Sequence, residues 1–425
     1  MIKIVCLESG DFSTMIKNEN NIPAGYKDSA VGIIPQEWEV KNIEEICDIY
    51  VGRDVQKNHF KEIADGKYKY PVYSNTVEDK GLYGYYDYEE YENNTVTVVG
   101  RGIGLGTAFA RDNGYGAIGR LIVLKPHSNM NNHFLSDYIN AQVHFYVESA
   151  AIPQLTGEQI ATYKVVQPSK EEQQKIVEIL RTWDEAIEKQ TKLIKALEKR
   201  KQALMQRLLS GRTRLPGFTG EWKKEKLMDI GIFLSTNNFP RDKMNETEGT
   251  IMNVHYGDIL IKYPTIVDLK TINVPYLNNG IKVKSDLLKN GDVIIADTAE
   301  DKIVGKAIEI VNIGTHQIVS GLHTFAFRPN ESLFVNRFLG YYLNSVGYRK
   351  QLESLIQGIK VCSISKSSIL NTYISIPLIK EQQAIVNILV SADDEIKRHN
   401  TKLSQLRKQK RGLMQQLLTG KKRVK

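Results

Sequence analysis

The residues able to do chemistry are few, and their spacing does not suit it. Gly100-Arg-Gly-Ile-Gly-Leu-Gly106 follows a strand-like run, but it lacks the GxGxxG spacing and leads into another strand rather than a helix. Its glycines suit a tight turn or a close backbone approach to a ligand. No GxxxxGK(S/T) phosphate loop exists, Gly305-Lys306-Ala307 being too short a match. The chain has no Pro-Pro pair, so the (D/N/S)-P-P-(Y/F/W) site of amino-methyltransferases is absent. Asp292 or Asp297 with Glu300-Asp301-Lys302 forms only a loose (D/E)xK triplet, common by chance. The eight histidines include no HExxH and no Cys/His cluster, so no metal site is expected. His255, His316 and His323 read as core or surface polar groups. Cys6, Cys47 and Cys362 lie too far apart in sequence for a disulfide framework or a ligand set, which suits a reducing cytoplasm. The chain is expected to catalyse nothing on its own: no catalytic residue, no metal.

What the sequence does contain is a repeat. Residues 168–211 align without gaps on residues 377–420, with 19 identities in 44 positions. Glu172-Gln173-Gln174 recurs as Glu381-Gln382-Gln383, and Leu204-Met205-Gln206 as Leu413-Met414-Gln415. Each copy starts after a proline and stops at a glycine, as a single long helix does. Apolar residues step by four and three along the first copy, at Ile176, Leu180, Trp183, Ile187, Ile194, Leu197, Leu204 and Leu208. The second copy places Ile385, Leu389, Ala392, Ile396, Leu403, Leu406, Leu413 and Leu417 at the equivalent positions. That spacing is a coiled-coil seam. Gln190 with His399, and Lys201 with Lys410, interrupt it in both copies, and a recurring polar layer fixes register. An antiparallel pairing brings Gln190 and His399 toward one central layer; the competing reading packs each helix on its own domain.

The helices leave two globular segments, 30–167 and 214–376, preceded by an arm at 1–29 and followed by a basic tail at 421–425. Each segment opens on a Glu-Trp pair, Glu37-Trp38 and Glu221-Trp222, and reaches its helix through a short apolar strand and a proline. In between, the two barely resemble one another. Strands are expected over Thr95–Val99, Ala117–Leu124, Asp292–Ala296, Ala307–Val311 and Thr324–Phe327, and helices near Asn132–Val147 and Leu333–Ile356. The fold class is therefore α+β: two mixed α/β globular domains separated by two long helices forming an antiparallel coiled coil. With 425 residues and 25% charged side chains, the chain is neither disordered nor fibrous, and no apolar run is long enough to span a bilayer. The net charge of +8 is modest, but eleven basic and no acidic residues lie between Lys397 and Lys425. Seven basic residues against one acid lie between Lys195 and Arg214. Basic tracts at matching places in a repeat point to a polyanionic partner.

Taken together, the paired Pro-…-Glu-Gln-Gln helices ending in Leu-Met-Gln-X-Leu-Leu-(Ser/Thr)-Gly resemble the specificity (S) subunit of type I restriction–modification systems. The resemblance runs from about Pro35 onward. Ile34-Pro-Gln-Glu-Trp38 and the run from Leu215-Pro-Gly-Phe218 to Trp222 are similar to that family's domain openings. Tyr70-Pro-Val-Tyr-Ser-Asn75, Val99-Gly-Arg-Gly-Ile-Gly104, Ala150-Ile-Pro-Gln-Leu155 and Asn253-Val-His-Tyr-Gly-Asp258 resemble its recurring target-recognition segments. The resemblance implies two target recognition domains, each reading half of a split sequence in double-stranded DNA, with the helices setting the spacer. It also implies two modification (methyltransferase) subunits, with restriction subunits in the full complex; the lack of a long apolar run leaves no membrane among the expected partners. S-adenosylmethionine, ATP and magnesium would belong to those partners, with no cofactor in this chain.

Polar residues on turns flanking strands are the candidates for DNA contact. In the first domain these are Arg53, Ser74, Asn75, Lys80 and Arg101; in the second, Asn237, Asn238, Arg241, His255, Tyr256 and Lys302. Eight of the 21 tyrosines fall in residues 68–91 and are read mostly as packing or cross-strand pairs. The basic helix ends can face DNA phosphates or the partner subunits. Two other readings compete: a coiled-coil nucleic-acid-binding adaptor, and a self-contained nuclease, for which a motif is missing.

Overall fold

The computed structural model describes residues 22–146 and 153–424. The first 21 residues, with Cys6, lie outside that range, as do residue 425 and residues 147–152, the last three of which open the Ala150–Leu155 segment. In chain order the first half holds β1 (Tyr26–Lys27), β2 (Ile34–Pro35), β3 (Glu39–Asn42), α1 (Ile43–Ile46), β4 (Cys47–Val51) and β5 (Phe60–Lys61). Then come β6 (Tyr70–Tyr73), β7 (Leu82–Tyr86), β8 (Thr95–Val98), β9 (Ala108–Arg111), β10 (Gly116–Ala117) and β11 (Ile122–Pro126). The half ends with α2 (Asn132–Gln142), α3 (Gly157–Ala161), β12 (Lys164–Gln167) and the 39-residue α4 (Lys170–Leu208). The second half runs β13 (Lys223–Lys226), β14 (Gly231–Leu234), β15 (Met244–Asn245), β16 (Ile251–Val254), α5 (Tyr256–Ile261) and β17 (Ile266–Asp268). It continues with β18 (Tyr276–Leu277), β19 (Val293–Ala296), β20 (Thr298–Ala299), β21 (Ala307–Val311), β22 (Gln317–Ser320) and β23 (Thr324–Pro329). It closes with α6 (Phe338–Leu343), α7 (Val346–Glu353), β24 (Cys362–Ser363), α8 (Lys366–Leu370), β25 (Tyr373–Ile376) and the 39-residue α9 (Ile379–Leu417).

The chain divides into two compact units, residues 1–190 with 402–425, and residues 191–401. Each contains one globular segment and a stretch of both long helices. In the first unit, β4-β11-β8-β9 form an antiparallel sheet, and β10 joins β6 in parallel in a second sheet, β10-β6-β7-β5. In the second unit, β14-β23-β19-β21 repeat the antiparallel order, with β17 added, and β22 joins β16 in parallel. β3 pairs with β12 in one unit and β13 with β25 in the other. The two segments, so unlike in sequence, share one frame. Buried aliphatic strands make the core of each: Val96, Val98, Ile122 and Leu124 in the first, Ile294, Ala296, Ile308 and Ala326 in the second.

Side-chain pins repeat with the frame. Asn140 on α2 exchanges two hydrogen bonds of 2.8 Å with the backbone of Ala108, and Asn344 after α6 does the same with Ala307 at 2.8 and 3.2 Å. The recurring Glu-Gln-Gln is also explained residue by residue. Gln173 is fully buried; it accepts from Asn131 N–H (2.8 Å) and donates to the Asn129 and Pro168 carbonyls (both 2.9 Å). Gln382 accepts from Val335 N–H (3.0 Å) and donates to the Leu333 and Pro377 carbonyls (2.8 and 2.9 Å). Each glutamine thus bolts its long helix to the loop before the domain's last helices. The third residue of each motif, Gln174 or Gln383, is exposed and bonds one turn on, to Glu178 or Asn387.

The motif glutamates close each unit. Glu172, 6% exposed, takes both arms of Arg423 (2.7 and 2.9 Å) and the indole N–H of Trp38 (2.9 Å). Glu381, 1% exposed, takes both arms of Arg214 (2.7 Å each) and the indole N–H of Trp222 (3.1 Å). Bidentate guanidinium–carboxylate geometry is the strong form of this bond. Beside these latches, Gly211 (φ 68°) and Gly420 (φ 70°) end their helices in the left-handed conformation. Residues 22–29 of the expected arm take part as well: β1 pairs with β2, and Tyr26 donates to the Gly420 carbonyl (2.9 Å).

Within each unit the stretches of α4 and α9 run in opposite directions. In the first, Glu172 meets Arg423 while Asp184 meets Lys410 (2.7 Å). In the second, Lys201 meets Asp393 (2.5 Å) and Arg200 meets Glu395 (3.6 Å). Seam positions Ile176, Leu180, Gln190, Ile194, Leu197, Ile385, Leu389 and Leu403 are buried; Trp183, Ile187, Ile396, His399 and Leu406 are half-buried. Several residues of the basic tracts are therefore neutralised inside their own unit.

One strand expectation fails informatively. The run expected as a single strand over Ala117–Leu124 is two strands in different sheets, β10 and β11, separated by Gly119 (φ 66°) and Arg120 (φ 65°). Two successive left-handed residues, closed by Leu121 N–H donating to the Ile118 carbonyl (3.2 Å), make a primed turn that an extended strand cannot contain. The long helical pattern at Leu333–Ile356 is likewise broken, by Asn344 and Ser345, into α6 and α7.

Candidate nucleic-acid interface

In the first unit, the five candidates sit on turns tied together by hydrogen bonds. Asn75, just past β6, is the tie. Its Oδ1 accepts from Gly100 N–H (2.8 Å) and its Nδ2 donates to the Gly119 carbonyl, so it joins three separate turns. Ser74 and Gly81 close the 74–81 loop, Ser74 N–H donating to the Gly81 carbonyl (2.8 Å). Within that loop, Asp79 (φ 45°) and Lys80 (φ 54°) are left-handed. Buried Arg111 holds the Lys80 carbonyl (2.7 Å), bonds Thr97 (2.9 Å) and lies 3.4 Å above the Tyr73 ring. Burial lowers the Arg111 pKa, with the Tyr73 and Tyr115 phenol groups opposing the shift. Arg53 receives Gly119 N–H on its carbonyl (2.9 Å), and Arg101 bridges to Gln154. Lys80, Arg53, Arg101 and Arg120 are all exposed, and none has an ion-pair partner among the described residues. By contrast Lys61, Lys67, Lys125 and Arg181 in the same unit are paired to carboxylates. Unpaired cations gathered on one set of turns are what a phosphate backbone attracts.

The tyrosines beneath these turns pack on one another. Tyr86 stacks on Tyr88 (5.1 Å), and Tyr115 contacts Tyr73 and Tyr91 (5.6 Å each). They support the turns rather than extend from them.

The second unit sorts its candidates differently. Asn237 is turned inward, donating to Asn253 (2.7 Å) and the Ser320 carbonyl (2.9 Å). Arg241 is neutralised by Asp258 and Glu246. Both are tied into the fold, with Arg241 still 48% exposed. His255 caps α5 by accepting from Gly257 N–H (3.2 Å); burial lowers its pKa, against the pull of Asp258. Tyr256 packs edge-on against His323 (5.3 Å). Asn238 and Lys302 are exposed. Asn237, Asn238, Phe233, Asp297, His323 and Lys366 line a groove of about 640 Å³. The sequence pattern marks His323 only as a core or surface polar group, yet it stands at this groove, 47% exposed and left-handed (φ 54°).

The aspartates of the loose (D/E)xK triplet are each engaged within the fold. Asp292 is consumed by Arg328 (2.6 and 2.9 Å) at 1% exposure. Asp297 accepts from Thr298 (2.7 Å), and Asp301 from Ile303 N–H (2.8 Å). Among the described residues no group of three or more His, Cys, Asp or Glu could hold a metal ion. Gly102, Gly104 and Gly106 all have positive φ and lead into strand β9. Among the described residues no helix is long and apolar enough to cross a membrane.

Known proteins place this architecture. The model of the type I restriction modification DNA specificity domain matches twice, at residues 35–199 and 220–408, each match taking one globular segment and most of its long helix. The type I restriction enzyme MjaVIII specificity subunit of Methanocaldococcus jannaschii is 28% identical over 65% of this chain and 66% of its own length. The specificity subunit assigned to the MjaX enzyme of the same organism is 24% identical over 94% of this chain and 97% of its own. The solved S subunit of the type I restriction–modification system of M. genitalium superposes with a TM-score of 0.56 at 15% identity, covering 95% of this chain and 98% of that one. A chain solved for the assembly and conformational transition of the type I R-M system gives 0.56 at 17%, covering 91% and 99%. The two domains, each ending in a long helix latched by its Glu-Gln-Gln, are thus two copies of one known module, and the chain belongs to the type I restriction–modification DNA specificity family, whose members are specificity subunits rather than the catalytic chains.

Proposed function

We propose that residues 30–167 and 214–376 each read one half of a two-part DNA sequence, and that the paired helices 168–211 and 377–420 set the gap between the halves. The observation that carries this reading is one frame used twice with different side chains on its turns: unpaired arginines and Lys80 in the first domain, His255, Tyr256 and His323 in the second. A shared frame presents the same edge to DNA, while unlike side chains select unlike bases. The chain serves as reader and scaffold for two modification subunits, with restriction subunits in the full complex. Those partners supply S-adenosylmethionine, ATP and magnesium chemistry, and the assembly works in the cytoplasm.

The test is a domain exchange. Residues 214–376 are replaced by the second domain of another specificity subunit, and the methylated motif is read by single-molecule sequencing of host DNA. One half of the motif should change and the other persist. A change in both halves, or in neither, overturns modular reading. The chain alone should neither methylate nor cleave DNA.

A further inference from the structure

The primed turn that breaks the expected strand Ala117–Leu124 has a counterpart. In the first unit Ile118 N–H donates to the Tyr73 carbonyl (2.9 Å), and two residues later comes Arg120. In the second, Gly321 N–H donates to the Val254 carbonyl (2.8 Å), and two residues later comes His323. Both follow a strand paired in parallel (β10 with β6, β22 with β16) and precede the strand that enters the antiparallel sheet (β11 or β23). Both lie against the end of the central strand of that sheet. An added Cβ on Gly100 would meet the Arg120 carbonyl at 3.0 Å, and Asp297 N–H donates to the His323 carbonyl (3.1 Å). Gly100 and Asp297 in turn accept from Leu155 N–H (2.7 Å) and Ile364 N–H (3.0 Å). Arg120 and His323 therefore occupy one position of the shared frame, and both have positive φ.

We infer that Arg120 and His323 are the specificity-determining side chains of the two domains, each reaching a base edge in its own half-site; this rests on the DNA-reading function proposed above. A left-handed backbone is one that glycine occupies freely, asparagine and histidine more often than most residues, and arginine rarely. Left-handed residues of this kind persist where the surrounding structure over-determines them, and they cluster at functional sites. The Arg120 side chain has no part in holding its turn, whereas the His323 ring meets Asp297 (3.4 Å), Thr298 (3.5 Å) and Tyr256 on one side only. The Arg120 guanidinium is exposed and has no hydrogen-bond or ion-pair partner among the described residues, while its backbone is pinned by Arg120 N–H to the Gly52 carbonyl (3.0 Å) and by Asn75 through Gly119. A fixed Cα with an unengaged guanidinium, on a turn tied to those that carry Arg53, Lys80 and Arg101, is the layout of a base reader among phosphate contacts. Its paired N–H donors match the O6 and N7 acceptors of guanine. In His323, Nδ1 faces the Asp297 carboxylate (3.4 Å), which leaves Nε2 to accept from the exocyclic amine of adenine or cytosine. One backbone position carrying different side chains is how a single frame acquires two specificities.

The experiment uses the full chain assembled with its modification subunits in a host that lacks other DNA methylation. Host DNA is the probe, and the motif is read by single-molecule sequencing. Wild type should give a two-part motif. R120G should lose the requirement for a guanine at one position of one half, with methylation of the native site falling roughly tenfold to a hundredfold and the other half unchanged. H323G should alter only the opposite half. Because glycine suits the left-handed turn, purified R120G and H323G should melt no lower than wild type. If R120G fails to assemble, R120K keeps the charge but not the paired donors, and should relax the same position. A wild-type two-part motif with every position unchanged in R120G, R120K and H323G overturns the inference while leaving the domain reading intact. A uniform fall in methylation with no change of motif also overturns it, since that is the signature of phosphate contact. A wild type that yields no two-part motif brings down the domain reading itself, and the inference with it.

Discussion

Asp137 on α2 shows how a single carboxyl can record its surroundings. Burial raises its pKa to about 6, with the neighbouring charge of Asp184 adding to the rise and Lys410 and Arg181 opposing it. The corresponding position in the second unit is Tyr341, whose neutral phenol donates to Asp393 (2.6 Å) beside Lys201. A carboxyl held above its unfolded value of 3.8 binds its proton more tightly when folded, so it lowers stability as pH rises from about 4 to 6 and keeps it lowered above that. Asp137→Asn should therefore stabilise the chain by about 1–3 kcal/mol at pH 7.5 and by nearly nothing at pH 4. Urea unfolding at the two pH values measures this, and an equal effect at both would refute burial of the charge as the cause. Individual residues were legible in the sequence only as types. Asn75, Asn237 and Arg241 all stand on polar turns, but Asn75 ties turns together, Asn237 bonds Asn253, and Arg241 pairs with Asp258. Whether a polar side chain points outward depends on partners distant in the chain, which local pattern does not encode.

At the scale of elements, the long helices were readable because their seam and their glutamine bolts are each set by local spacing. The shared frame of the two domains was not. Its strands need only alternate and be apolar, so little beyond Asn140 and Asn344, and the Trp-Glu-Arg latches, had to stay the same. The primed turn at Gly119-Arg120 was hidden for a related reason: Ile118, Leu121 and Ile122 on either side read as one β run. The energy held in the latches can be measured. Glu172 is almost wholly buried, and Arg423 is its charge partner. Glu172 also holds Arg423 in its charged form, raising its pKa above the ordinary arginine value. Removing the arginine strands a buried carboxylate, which costs more than removing both groups. Arg423→Ala should destabilise the first unit by about 2–4 kcal/mol, and Glu172→Gln with Arg423→Ala together by less than the two separate losses added. Arg214→Ala should do the same in the second unit through Glu381. A double-mutant cycle in urea measures the coupling, and a value within about 0.3 kcal/mol of zero would show that the latch is decoration.

At the scale of the whole molecule, the proposed role of the helices as a spacer is a matter of length and phase together. Seven residues add about 10 Å to an α-helix and return the seam to within about 20° of its starting face. Inserting the same seven residues at matching places in α4 and α9 keeps Ile176, Leu180, Ile385 and Leu389 in their packing and leaves both latches untouched. DNA advances about 3.4 Å per base pair, so the gap between half-sites should widen by about three base pairs, with the bases read in each half unchanged. Those three base pairs also rotate one half-site by about a third of a turn, so methylation should slow even as the motif widens. Sequencing of host DNA separates the outcomes. A wider gap with unchanged halves supports the spacer role, and a gap of the original width in an active, folded variant refutes it. Inserting the residues in α4 alone should break the seam register against α9 and abolish methylation. Activity with the original gap would show that the helices do not work as a pair.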